Sequence, residues 1–345
     1  MNLFFPHDHK PSHIKSLDGL RGLAILLVLV AHLHHFHDNE IFHVLRFYGR
    51  AGVYLFFVLS AYLLDRQIIE VFLSKKSSTD YWRYYAKRRF LRIFPLYTVV
   101  LIIYLISGVW LDGPGDFVKH LFLLEGKGVF WSIPVEFKYY IFSPLIVWAF
   151  YRFTKWNLPL MVAIMTFISL VSLFLFWRKL IGTSDFFQSL PAFFLGTFLA
   201  YIDKFNSFEY KKYYKVFEVL SIIGLILIHP LIFKYVGLRP RMMWVTYLYF
   251  SPVLLGGIFI SAKYGLLKKL FEVKSLRFMG AISFSAYLLH PIIIQAINLL
   301  DLSLTIKLII YPFILVGVCI VTYRFIEYPA SKTKQLKLTT FTRNK

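Results

Sequence analysis

The chain has 345 residues, and 39 Lys and Arg against 18 Asp and Glu give it a formal net charge of +21. It is also strongly apolar, because 58% of its residues are hydrophobic, only 17% are charged, and the mean hydropathy is +0.62. Soluble domains carry about 25% charged residues, so a soluble globular protein, including a soluble nucleic-acid binder, is excluded. The 37 Phe, 23 Tyr and 7 Trp also exclude a disordered chain. The remaining class is a polytopic membrane protein.

The N-terminal sequence MNLFFPHDHKPSHIKS contains no apolar segment followed by a small-residue cleavage site. It therefore predicts no removable signal peptide, and we expect the first membrane span to be the targeting element. Only one cysteine is present, Cys319, so no intrachain disulfide and no cysteine-type zinc site is expected.

Apolar windows recur along the whole chain. A helix needs about 20 mostly apolar residues to cross a bilayer, and ten such windows predict an all-α fold with about ten transmembrane helices. Charged residues interrupt the second and the fourth of them. The windows lie near 17–36, 49–68, 93–111, 133–151, 157–177, 186–202, 217–236, 242–262, 278–300 and 306–325.

The loops between these windows predict the orientation of the chain. Lys and Arg are retained on the cytoplasmic side during insertion, and they are most abundant in the segments that face the cytoplasm if the N-terminus is inside. We therefore expect both termini in the cytoplasm and the chain in the cytoplasmic (inner) membrane. The same bias explains the net charge without a nucleic-acid partner. No loop is long enough for a second domain, which leaves one membrane domain, 1–330, and a basic tail, 331–345.

The first window, in SLDGLRGLAILLVLVAHLHHF, carries two groups suited to chemistry. Arg21 and His32 are 11 residues apart, so on a helix they share one face and lie about 16 Å apart along its axis. A guanidinium suits phosphate, and an imidazole suits removal of a hydroxyl proton. The alternative is an arginine that reaches the headgroups and a histidine at the interface, although ionisable residues inside a membrane indicate function by default. Asp18, one turn before Arg21, is placed to hold its guanidinium.

Other polar residues in or near the windows are open to two interpretations. His290, beside Pro291, is either a packed histidine or part of a cavity, with Tyr287 one turn earlier as its expected partner. Trp131 and Ser132 could stack on and hydrogen-bond a sugar, although a tryptophan at the membrane interface is the simpler interpretation. The run HLHHFH contains four histidines, but histidines one turn apart are weak evidence for a metal site on their own, and we expect none here.

The segment LDGLRGLAILLVLVAH resembles the opening of the acyltransferase-3 family of integral membrane acyltransferases, whose hallmark is an arginine, ten residues and then a histidine. The resemblance covers essentially the whole chain. Ala61 stands where the family usually has Gly, and Phe137 stands where a second acidic residue is common, so paired carboxylates are not implied there. Further motifs follow in the family's order: FFVLSAYLL at 56–64, RRFLRIFPLY at 88–97, WSIPVEFKYY at 131–140, SFSAYLLHP at 283–291 and FIEYP at 325–329.

The resemblance implies transfer of an acyl group, most often acetyl from acetyl-coenzyme A, through a passage between the helices. The acceptor would be a hydroxyl of a surface carbohydrate, such as lipopolysaccharide O-antigen or exopolysaccharide, or of a lipid-linked sugar. Carried over by position, His32 would be the catalytic base, and Arg21 with Asp18 would bind the donor. The cluster that follows in RRFLR would bind the phosphates of coenzyme A, although the positive-inside rule alone also predicts it: Arg88, Arg89 and Arg92.

Glu136, near the outer end of the fourth window, would orient the imidazole of His32 or bind sugar hydroxyls, unless it is simply a solvated glutamate at the interface. We assign the acceptor side to four residues: Trp131, Ser132, Tyr287 and His290. Direct transfer and an acyl-histidine intermediate both remain open, as does the oligomeric state.

Two other classes of protein fit ten spans with buried charges. A transporter of a glycan or of a lipid-linked sugar is the first, although transporters often contain an internal repeat and no matched halves are found here. A membrane scaffold of a polysaccharide assembly complex is the second, and it would tolerate loss of His32.

Overall fold

The computed structural model describes residues 3–6, 8, 13–37, 42, 45–46, 48–178, 180, 186–205, 215–216, 219, 255–263, 265 and 267–331. Within these residues the chain is helical and contains no strand. The helices are α1 Lys15–Ala31, α2 Tyr48–Leu73, α3 Thr79–Ser107, α4 Pro114–Leu121, α5 Ser132–Ala149, α6 Leu158–Trp177, α7 Phe186–Phe205, α8 Leu267–Phe271, α9 Lys274–Ala281, α10 Ser283–Asn298, α11 Leu304–Thr322 and α12 Tyr328–Ser331, with a further unlabelled helix over 255–263.

Among the described residues, five helices are long and apolar enough to cross a membrane, and a sixth is added if α9 and α10, bent by 73°, form one span. The prediction of an all-α, multi-pass membrane protein is thereby confirmed, but the count of ten spans is not. The interrupted second and fourth windows form α2 and α5. Nearly all of the window at 217–236, most of that at 242–262 and the tail from 332 lie outside the described residues. The five are Lys15–His35, Thr79–Ser107, Leu158–Trp177, Phe186–Phe205 and Leu304–Ala330.

Helix α10 runs beside α1 and parallel to it. Asp18 lies against the end of α9, the rings of His32 and His290 are in contact, and Asn298 donates a hydrogen bond to the carbonyl of His35. The two ends of the bundle are therefore called the Asp18 end and the His32 end. Any group on α1 has α10 beside it at the same depth.

Three glycines let α1 contact α8 and α9 through their backbones. A Cβ on Gly19 would lie 1.8 Å from the carbonyl oxygen of Phe271, and one on Gly280 would lie 1.9 Å from that of Asp18. Gly22 makes the equivalent contact with Leu276. Helix backbones can approach each other this closely only where the residue at the contact is glycine, which has no side chain. The contacts fix the position of the segment that carries Asp18 and Arg21.

We expect Gly280→Ala to lower the melting temperature of the protein in detergent. The added methyl would overlap the Asp18 carbonyl, and overpacking of this kind costs about 1–3 kcal/mol. Gly317→Ala, in α11, is the matched control, because that glycine has open space around it and alanine is the better helix former. Equal melting temperatures for the two variants would contradict the close contact.

A buried carboxylate joins three helices in the middle of the bundle. Asp65 is 0% exposed and accepts hydrogen bonds from Tyr139 and Thr197, each at 2.6 Å, and from Ser143. These residues lie on α2, α5 and α7. Because all its donors are hydroxyls, the cluster satisfies a buried polar group that would otherwise be costly.

The segment between α3 and α5 is held by polar contacts at the His32 end. The backbone N–H of Lys127 donates to Nε2 of the buried His120 at 2.9 Å, and Lys127 Nζ lies 2.5 Å from Asp116. That hydrogen bond lowers the pKa of Asp116 to about 2. Gly128 has φ +55 and faces the ring of Trp110, where no side chain fits. The segment thereby places the turn Gly128–Trp131, and with it the start of α5.

Candidate functional site

A polar cavity opens between α1, α2, α3, α5 and α10. It encloses about 780 Å³ of empty space including its open mouth. We call it the central cavity. Its charged and hydroxyl-bearing lining includes Arg21, Ser60, Arg89, Arg92, Glu136 and Tyr287.

A second cavity, of about 630 Å³, lies at the Asp18 end and is called the Asp18-end cavity. Asp18, Tyr323 and Glu327 line it together with the aromatic side chains of the N-terminal segment. Arg21 and Arg92 line both cavities. The two cavities therefore adjoin at a pair of guanidinium groups, and we call the two cavities together the passage.

Arg21 and the face above it point to the interior. Ile25 and Val28, which lie between Arg21 and His32 on that face, are fully buried. Arg21 is within electrostatic reach of Arg92, Asp18 and Glu136. The face between Arg21 and His32 is thus interior, as the 11-residue spacing predicts, but only Arg21 lines a cavity, and His32 lines neither of the two.

Asp18 does not hold Arg21, contrary to the expectation. Its carboxylate lies 2.8 Å from His13 Nε2 and 3.2 Å from Arg277 Nη2, and no hydrogen bond to Arg21 occurs among the described residues. Arg277 is 4% exposed and needs counter-charges, which both Asp18 and Asp8 supply. The hydrogen bond from Arg277 lowers the pKa of Asp8. The three groups Asp8, His13 and Asp18 are close enough to hold a metal ion, but the guanidinium already contacts both carboxylates.

The three arginines predicted to form one cluster lie on different faces of α3. Arg89 and Arg92, three residues apart, share a face and line the central cavity. Arg88 lines neither cavity, and its guanidinium lies 5.6 Å from the ring centre of Tyr84. The structure brings two of the three arginines to Arg21.

Glu136 lies in the central cavity and not at His32. Ser60 Oγ donates to Oε1 of Glu136 at 2.5 Å, and Tyr140 OH donates to the same oxygen at 2.7 Å. His32 does not line this cavity, and no contact joins the two residues in the described part of the chain. Of the two roles predicted for Glu136, only binding of hydroxyl groups fits this position.

His32 begins the short 3-10 turn His32–His35 that follows α1, and its ring is held by the last turn of α1. Its Nδ1 lies 2.8 Å from the carbonyl oxygen of Val28, which can only accept, so Nδ1 carries the proton. In the neutral ring Nε2 therefore has the lone pair that a base needs. The ring centre of His290 is 4.5 Å away, and His290 is 0% exposed with Nδ1 bound to the carbonyl of Ala286. Among the described residues His290 Nε2 has no hydrogen-bond partner.

The acceptor-side residues fall into two groups. Ser132 Oγ donates to Tyr287 OH at 2.8 Å, Tyr287 OH donates to the Val129 carbonyl at 2.7 Å, and both side chains line the central cavity. Trp131 does not line it, and the Arg50 guanidinium lies 5.1 Å from its ring centre. The Tyr287 hydroxyl therefore bonds Ser132 and Val129. The ring centre of His290 lies 6.1 Å from that of Tyr287 and closer, at 4.5 Å, to that of His32.

Sequence reasoning missed four residues of these cavities and their surroundings. Tyr140 lies four residues after Glu136, a spacing that signals contact on a helix. Glu327 lies two positions beyond the tenth apolar window, in the motif FIEYP, and the structure includes it in the apolar span Leu304–Ala330, where an acidic residue is a recognised signal of function. Ser60 and Arg277 carry no comparable signal, because their partners lie far away in the sequence.

The fold and the two adjoining cavities define a multi-pass helical membrane protein with a polar interior. The chain belongs to the acyltransferase-3 family, since a family profile described as an acyltransferase domain matches residues 14–326.

Two curated relatives add to this. The O-acetyltransferase OatA of Staphylococcus aureus strain NCTC 8325 / PS 47 is 25% identical over 363 positions, which cover 94% of this chain and 58% of the relative. The peptidoglycan O-acetyltransferase OatA of Listeria monocytogenes is 25% identical over 368 positions, covering 93% and 56%. The chain therefore spans less than two thirds of the length of these relatives. No solved structure gives a significant match.

Proposed function

We propose that this protein is a membrane O-acyltransferase that moves an acyl group, acetyl above all, from acyl-coenzyme A to a hydroxyl of a cell-envelope carbohydrate. The observation that supports it most directly is the passage formed by two cavities that share Arg21 and Arg92. Family membership supports acyl transfer. The relatives are O-acetyltransferases, which supports acetyl as the group, and one of them is a peptidoglycan O-acetyltransferase, which favours peptidoglycan over lipopolysaccharide as the acceptor.

In this proposal the Asp18 end faces the cytoplasm of the inner membrane, as the loop charges favour, and the donor enters there. Guanidinium groups bind phosphate through several hydrogen bonds at once, and Arg21, Arg89 and Arg92 line the route. The flexible pantetheine arm would extend toward Ser132 and Tyr287. The acceptor approaches from the His32 end or from within the membrane.

The chemical step uses Nε2 of His32 as the base. The acceptor hydroxyl gives its proton to Nε2, its oxygen forms a bond with the thioester carbonyl carbon, and the carbon–sulfur bond breaks. The thiolate that leaves takes the proton from the imidazolium. The Val28 carbonyl keeps the ring in the required tautomer throughout, as an orienting group does in other base arrangements.

We expect Glu136→Gln to lower turnover about 10- to 100-fold, the loss that follows when a positioned hydrogen bond to a charged group is removed. Glu136 would accept hydrogen bonds from the acceptor sugar, so the donor should bind as before. Coenzyme A release and coenzyme A binding, measured on the same preparation, separate the two effects. Glu125→Gln, a half-exposed carboxylate paired with Lys119, is the control for the lost charge. Equal losses in turnover and donor binding would count against this role.

The proposed function is tested with purified protein in lipid nanodiscs, given acetyl-coenzyme A and fragments of envelope carbohydrate. We expect release of coenzyme A that depends on the acceptor, and an acetyl ester on the sugar detected by mass spectrometry. Donor that stays intact, together with carbohydrate transport in proteoliposomes, would support the transporter instead. In cells, loss of the gene should remove the ester, and wild type but not His32→Ala should restore it.

A further inference from the structure

Glu327 is a buried acid that the proposed reaction leaves without a role. It ends a π-helical turn, Tyr323–Glu327, that follows α11, and turns of this type are frequent at functional sites. Its side chain is 3% exposed and lines the Asp18-end cavity. Ser285 donates a hydrogen bond to Oε1, but Oε2 has no hydrogen-bond partner among the described residues.

The position of Glu327 is fixed by its neighbours. Ser285, on α10, donates to the carboxylate and in turn accepts a hydrogen bond from Thr322 at 2.9 Å. Glu327 is therefore bound to α10 and α11 through one oxygen only. The second oxygen is available to a cation.

That cation is Arg92. Its Nη1 lies 3.6 Å from Oε2 of Glu327, and its side chain is 40% exposed. Arg92 also lines both cavities, so the ion pair stands where the Asp18-end cavity meets the central cavity. Glu327, held by Ser285, therefore pairs with the partly exposed Arg92 at the junction of the two cavities.

We propose that Glu327 is a positioning residue that holds Arg92 at this junction and releases it to the phosphate groups of the incoming acyl donor. The inference rests on the proposed function, because it takes a phosphate-bearing thioester as the ligand. Phosphate competes well for a guanidinium because its hydrogen bonds are charge-assisted and bidentate. When the donor takes Arg92, the buried Glu327 carboxylate keeps only its hydrogen bond from Ser285. The ion pair therefore competes with the donor for Arg92.

The test compares the affinity for coenzyme A alone, measured by calorimetry on the full chain in nanodiscs. We expect Glu327→Gln to bind coenzyme A at least about fivefold more tightly than wild type, as the lower limit of a typical coupling between sites. Arg92→Gln should bind it more weakly. In the double variant Glu327→Gln, Arg92→Gln the gain should vanish, because Glu327 acts through Arg92. Glu125→Gln is the charge-matched control and should bind as wild type does.

Weaker or unchanged binding by Glu327→Gln would overturn the proposal, and so would a gain that persists without Arg92. If Glu327→Gln does not fold, Glu327→Met takes its place, since the 40% exposed Arg92 keeps its contact with water when its partner is removed, and the same gain is expected. Wild-type protein that neither binds coenzyme A nor releases it from the thioester would refute the proposed function itself. Wild-type binding with no gain in the variants would refute only the role of Glu327.

Discussion

His32→Ala is expected to abolish acyl transfer, with a fall in kcat of about 100- to 10,000-fold, the usual contribution of a positioned base. The acceptor hydroxyl would keep its proton and attack the thioester poorly. Coenzyme A binding should stay at the wild-type level, because His32 lines neither cavity. The measurements are acceptor-dependent release of coenzyme A and the binding isotherm.

Two further variants make this result specific. His37→Ala removes an exposed histidine of the same HLHHFH run and should retain full turnover. His32→Asn keeps a donor for the Val28 carbonyl but has no atom in the place of Nε2, so it should be as inactive as alanine. Substantial turnover by His32→Ala or His32→Asn would exclude His32 as the base.

Arg21→Gln is expected to weaken coenzyme A binding about 10- to 100-fold, because hydrogen bonds to charged groups contribute about 1.5–3 kcal/mol each. Arg21 stands at the junction of the two cavities, so the donor phosphates or the arm behind them must pass it. Arg21→Lys keeps the charge but loses the planar fork, and we expect an intermediate affinity. Calorimetry with coenzyme A measures both.

Arg88→Gln is the matched control for Arg21→Gln. It removes the same charge, but Arg88 lies against Tyr84 and lines neither cavity. Its affinity for coenzyme A should equal that of wild type. If Arg88→Gln weakened binding as much as Arg21→Gln, the donor would be attracted by the general positive charge of this end and not by the passage.

The features that sequence predicted well are those that depend on the geometry of one helix. The shared face of Arg21 and His32 follows from 11 residues at a fixed rotation per residue, and the intervening Ile25 and Val28 are buried as that geometry requires. Contacts between distant segments could not be predicted in this way. The partner of Asp18 is Arg277, 259 positions later, and the partner of Glu136 is Ser60, 76 positions earlier.

The polar residues that interrupt the second and fourth apolar windows are the same ones that form the interior. Asp65 and Glu136 interrupt the windows of α2 and α5, and the structure places them in a buried hydroxyl cluster and in the central cavity. A hydropathy window treats such residues as defects of a span. A hydropathy window also cannot detect the 73° bend between α9 and α10, because it averages hydropathy along the sequence.

The glycine contacts of α1 bear on how a donor could enter. Where Gly19, Gly22 and Gly280 bring backbones together, there is no layer of side chains that can slide or repack, so α1 and the α8–α9 pair behave as one rigid wall. Any widening of the passage is then expected at the opposite wall, where the ion pair of Arg92 and Glu327 joins α3 to the turn after α11. His32 and Arg21 would then keep a constant separation while the opposite side of the passage moves.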